Sequence, residues 1–178
     1  MKTHTQNAII LILFLTITVS CTNPKAATPT PTLLPYPDAL DLVLVHDEVT
    51  ARINNARVAQ GMEPMLWDET LQRLAEGRAW GIVTGVISLD DGIDGAVAGQ
   101  LGEPVAELWA CISDSVTSPA AVAEVAVEPW LDDPELREML LGHWKRIGVG
   151  YDWGCPDPQA RGVMLVVILA GGSTFGEG

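Results

Sequence analysis

The sequence predicts an α/β chain, a three-layer α-β-α sandwich around a small, mainly antiparallel sheet, on three observations. Gly162 to Ala170 encloses Val163-Met164-Leu165-Val166-Val167-Ile168-Leu169, an apolar run with no polar interruption, which is the pattern of a strand buried on both faces. Arg146 to Asp152 alternates Ile147, Val149 and Tyr151, and the short connection carrying Cys155 joins the two strands as an antiparallel hairpin. A sheet covered on both faces requires helices above and below it, and helix signals fill the segment that precedes the hairpin.

The chain opens with Lys2, an apolar run from Ala8 to Val19, and Ser20-Cys21. A spanning helix needs about 20 apolar residues; this run is shorter and is interrupted by Thr16 and Thr18, so it has the grammar of a cleaved export signal. Thr18-Val19-Ser20-Cys21 resembles the lipobox of bacterial lipoproteins, with Thr18 where that motif usually has leucine. The expectation is a lipoprotein signal over 1–20 and a lipid on Cys21 holding the protein to the extracytoplasmic face of the cell membrane; the alternative is a secreted protein. Residues 21–37 are rich in threonine and proline, with little to bury, and form an extended tether. The globular domain is 38–178.

Removing the first twenty residues takes away Lys2 and leaves nine basic against twenty-three acidic side chains, a formal net charge of −14. Such a chain repels phosphate backbones, which excludes nucleic acid as a partner. With Cys21 reserved for lipid, Cys111 and Cys155 remain, and in an oxidising exterior they pair. Closing that loop is worth about 4 kcal/mol on the chain-entropy model. Two cysteines without matching histidines are too few ligands for a zinc site.

Within the domain, Val45, Val49, Ile53 and Ala56 mark the stripe of an amphipathic helix that stops at Gly61. Asp68 caps a second helix with Leu71, Leu74, Ala75, Arg78 and Ile82 inward, fraying near Gly85. Residues 88–104, rich in aspartate and glycine, are expected as one long loop. Val105 to Ile112 favours a strand on which Glu107, Trp109 and Cys111 share a face. Ser118-Pro119 starts a helix through Trp130, which Pro129 should kink or end, and Asp133-Pro134 restarts a brief helix to about Leu141.

Ile53-Asn54-Asn55-Ala56-Arg57, Gly61, Pro64, Leu66-Trp67-Asp68, Leu71 and Ala75 resemble the opening helix and junction of the CAP superfamily (cysteine-rich secretory proteins, antigen 5, pathogenesis-related proteins) in its short bacterial form. Val125 to Trp130 with Asp133-Pro134, and Ile147-Gly148-Val149-Gly150, are similar to two further pieces of that family, in the same order, and the resemblance runs from Asp47 to Gly171. It implies a cleft that in well-equipped members carries two histidines and two acidic residues, a set able to hold a divalent metal. Here Glu107 matches one acidic position, and Asp133 stands either at the second or only as a helix cap. Neither histidine is present: the first would fall near Ser88-Leu89-Asp90 and the second at Leu136. The expected cleft residues are therefore Glu107, Asp133, Ser88 and Leu136, with no metal and no cofactor.

Other chemistry is weaker. Ser113, Ser115 and Ser118 with His143 and either Asp133 or Glu107 contain the residue types of a hydrolase, but there is no Gly-x-Ser-x-Gly elbow and the serines suit turns and caps. Of the tryptophans, Trp67 and Trp130 fall at family packing positions, Trp80 and Trp109 on elements expected to face the core, and Trp144 and Trp153 in polar surroundings. The expectation is a non-catalytic binding domain for a small hydrophobic molecule, a peptide or an envelope component. The alternative is a weak hydrolase or metal-binding protein using Glu107 with a histidine, and a purely structural envelope lipoprotein is a third reading.

Overall fold

A computed structural model describes residues 42–93, 95–157 and 159–172, all within the unit Pro35–Gly178. The segments expected as export signal and tether, with Cys21, lie outside the described residues.

Helix α1, Leu42–Ala59, buries Val45, Val49 and Ile53 completely, as its spacing predicts. The same four-residue step continues to Arg57, which is 2% exposed and takes the inward position expected of Ala56. The chain then turns at Gly61, whose φ of 75° favours glycine and whose N–H donates to Val58 O. Strand β1, Leu66–Trp67, was not visible in the pattern because it is two residues long. Helix α2, Glu69–Val83, begins at Asp68, whose carboxylate accepts from Thr70 N–H at 2.8 Å and Leu71 N–H at 3.0 Å. Burial raises the Asp68 pKa, but the bonds from Leu71 N–H and Arg146, with that cation's charge, outweigh burial and hold the carboxyl below its ordinary value.

The expected 88–104 loop is instead partly helical: a 3-10 turn at Leu89–Asp91 capped by Ser88, then helix α3, Gly95–Leu101. Seven residues that include Gly95 and Gly99 are too few to display a 3.6-residue period. Strand β2 is Val105–Ser113 and helix α4 is Pro119–Asp132, capped by Ser118. Pro129 neither ends nor splits α4. The donor it lacks would have served Val125 O, and both residues lie on the exposed side of the helix, where water can take the carbonyl. Helix α5, Pro134–Leu140, and strands β3, Arg146–Trp153, and β4, Gly162–Ala170, complete the chain.

The sheet order is β1-β3-β4-β2, with β1 parallel to β3 and the other pairs antiparallel. Every residue of β4 is buried. Leu165, Val167 and Leu169 pack with α1, α4 and α5 on one face; Met164, Val166 and Ile168 pack with Leu71, Ala75, Ala79 and Ile82 of α2 on the other. The expected sandwich is therefore present. Cys111 and Cys155 are joined, Cα to Cα 5.7 Å, tying β2 to the β3–β4 connection.

The tryptophans depart from expectation. Trp130 is buried as predicted, but Trp67, Trp80 and Trp109 are exposed, and Trp144, expected in polar surroundings, is buried with its indole N–H donating to Met139 O at 2.5 Å. Helix α2 lies over β3 and β4, so Trp80 on its outer side and Trp109 on the neighbouring strand both escape cover.

Candidate functional site

Glu107 sits on β2 opposite Ile168 of β4, and period two turns it to the α2 side of the sheet. Its carboxylate meets Arg78 of α2: Nε donates to Oε1 at 3.2 Å, and Nη2 donates to Oε1 at 3.0 Å and to Oε2 at 2.9 Å. The two side chains are 6% and 10% exposed. A carboxylate this buried needs such a partner, since an unpaired buried charge is far costlier than a hydrogen-bonded pair. The sequence carried the clue, because an arginine on the apolar face of α2 needs a buried acceptor, but it could not say which carboxylate supplies it.

Beside this pair lies a groove of about 600 Å³ between α2, the 3-10 turn and α3. Leu74, Gly77, Ile87, Ile93 and Val97 give it apolar walls, Arg78 is its buried polar group, and the exposed Arg73 and Asp91 stand at its lining. Asp91 Oδ2 accepts from Ser88 N–H at 2.9 Å, closing the turn that forms one wall.

The four cleft residues expected from the sequence do not converge. Ser88 is an exposed cap on the α2 side, next to groove residue Ile87. Asp133 accepts from Glu135 N–H and Leu136 N–H, and Leu136 packs against the α1–α4–α5 cluster, so both are across the sheet from Glu107. The cap reading of Asp133 is the one its bonds support, because α4 and α5 pack on the opposite layer.

The two described histidines, His46 and His143, are equally remote. His46 stands edge-on to Trp67 of β1, centroids 5.9 Å apart, and the strand order puts β1 three strands, about 14 Å, from β2. His143 lines a separate cavity with Arg57, Met62, Glu63 and Lys145. Ser113 pairs with Gly162 at one end of the sheet, whereas His143 precedes Arg146, which pairs with Ala170 at the other, so the hydrolase set is not assembled. Nor do these residues fit the divalent metal that the resemblance implies. Both Glu107 oxygens accept from a guanidinium, and Leu136 has no ligating atom.

Residues 50–168 match the family model described as CAP, the cysteine-rich secretory protein family. No curated protein matches the chain. Among solved structures, an outer surface protein of Borrelia burgdorferi superposes with a TM-score of 0.54 at 15% identity, over 71% of this chain and 92% of that one. An extracellular protein of Bacillus anthracis containing an SCP domain superposes with a TM-score of 0.52 at 16% identity, over 71% of this chain and 40% of that one. At such identity these likenesses speak for the fold, and they agree with the sandwich, the four-stranded sheet and the family match: the chain belongs to the CAP, or cysteine-rich secretory protein, family.

Proposed function

We propose that this CAP domain works outside the cytoplasm, held to the cell membrane by a lipid on Cys21, and that it recognises a small apolar ligand in the groove beside Glu107 without catalysing a reaction. The observation that carries this reading is the Arg78–Glu107 pair: the carboxylate best placed for metal or acid-base work is already committed to a guanidinium. What adjoins it is an apolar groove within the size range of small-molecule sites. The outer-surface and extracellular descriptions of the two structural relatives support the compartment.

Two measurements test the groove. Calorimetric titration with Zn²⁺ and with Ca²⁺ should show no stoichiometric binding, and the neutral probe N-phenylnaphthylamine should bind saturably in wild type but at least tenfold more weakly in Gly77→Trp, which fills the groove. Stoichiometric micromolar metal binding that disappears in Glu107→Gln would instead favour the metal-dependent alternative. The anchor is tested apart: Cys21→Ala should move the protein from the membrane fraction to the soluble fraction, and unchanged retention would refute acylation.

A further inference from the structure

We propose that β2 is a docking edge for a second copy of this chain, the two β2 strands pairing antiparallel about a twofold axis at Trp109 to make one continuous eight-stranded sheet. Among the described residues, the strand order leaves β2 at the sheet edge. Its backbone orientation follows from two flanking bonds, Gly171 N–H to Pro104 O at 3.2 Å and Asp114 N–H to Arg161 O at 3.1 Å, which continue the register Val105↔Ala170 and Ser113↔Gly162. Bonded and non-bonded pairs alternate in an antiparallel ladder, so the even-numbered residues of β2 bond to β4 and Val105, Glu107, Trp109, Cys111 and Ser113 turn their N–H and C=O groups outward. Among the described residues, one of these groups is engaged: Ser113 O accepts from Val116 N–H at 3.0 Å.

Soluble proteins normally guard such an edge with lysine, proline or a bulge. Val-Ala-Glu-Leu-Trp-Ala-Cys-Ile-Ser has no lysine or proline, its nine residues pair with β4 in unbroken register, and its one charge, the inward-pointing Glu107, is neutralised by Arg78. Trp109, the central residue, is 42% exposed. The strand is also self-complementary. With Trp109 facing its own copy, Glu107 faces Cys111 and Val105 faces Ser113, so no like charges stand opposite each other and an aromatic pair forms at the axis. This use of β2 is independent of the groove and of the ligand reading above. The strongly negative net charge of each copy, −13 for the full sequence and −14 without its first twenty residues, opposes association, so the dimer tightens as salt rises.

The test is sedimentation of the detergent-solubilised full chain and of two variants at position 109. Wild type should have the mass of two chains, more completely at high salt. Trp109→Pro should be monomeric with an unchanged circular dichroism spectrum, because its N–H faces outward and proline there removes no bond to β4. Trp109→Cys should run as a covalent dimer without reductant, since facing residues of a bonded pair lie about 5.5 Å apart, within disulfide reach. A wild-type chain that stays monomeric at high salt, a Trp109→Pro chain that still dimerises, or a Trp109→Cys chain that crosslinks only to other proteins would each overturn the proposal.

Discussion

Arg57→Met should lower the unfolding free energy by about 3–5 kcal/mol, the cost of leaving several buried carbonyls without donors. Arg57 sends Nε to Glu63 O at 3.2 Å, Nη1 to Leu140 O and Gly142 O, both at 2.8 Å, and Nη2 to Trp144 O at 3.2 Å. One side chain thus fastens the end of α5, the approach to β3 and the loop before β1 to the buried face of α1. Burial lowers its pKa from the ordinary arginine value, and the ring of carbonyls is what makes a cation tolerable there. Methionine matches the stem but donates nothing. Arg57→Lys should recover only part of the loss, because one ammonium cannot span four acceptors in a plane. Urea unfolding at constant m-value measures both, and a loss below about 1 kcal/mol for Arg57→Met would show that water or relaxation satisfies the carbonyls instead.

Gly150→Ala should be comparably damaging, at about 3 kcal/mol or more, because overpacking here cannot be relieved by a rotamer change. A Cβ on Gly150 would stand 2.1 Å from Glu76 N and 2.2 Å from Ala75 C, and one on Gly148 would stand 2.2 Å from Leu71 C. These are backbone atoms of α2, so the helix would have to lift from the sheet. The variant should therefore also weaken N-phenylnaphthylamine binding, since α2 supplies Leu74, Gly77 and Arg78 to the groove. Gly77→Ala is the control: nothing lies within 4 Å of its Cβ position, and a helical alanine stabilises by roughly 0.5–1 kcal/mol over glycine. Equal thermal stability of Gly150→Ala and wild type would mean that α2 does not rest on β3 as described.

This contact also explains a motif. Ile147-Gly148-Val149-Gly150 places Ile147 and Val149 in the core with α1 and α4, while its glycines let the α2 backbone sit directly on β3. Asn54, three residues before Arg57, has a matching role: its Oδ1 accepts from Met65 N–H at 2.8 Å and its Nδ2 donates to Met65 O at 2.9 Å, pinning the segment that becomes β1 to α1. The residues that carry the resemblance to the family, Asn54, Arg57, Gly148 and Gly150, therefore act as clamps between layers.

Local order alone settled much of this molecule. The apolar run of β4, the alternation of β3, the caps at Asp68, Ser118 and Asp133, and the stripe Val45–Val49–Ile53 each depend on neighbours within a turn or a strand, so linear spacing reveals them. Periodicity also put Arg78 on the inner face of α2 and Glu107 on one face of β2 with Trp109 and Cys111. Only the folded chain decided that these two meet, that Asp133 and Leu136 fall on the far side of the sheet, that Trp109 lies uncovered and that Trp144 is enclosed. Those outcomes depend on which strand lies at the edge and which helix covers which face, and burial is a property of layers brought together across long stretches of sequence rather than of residue type.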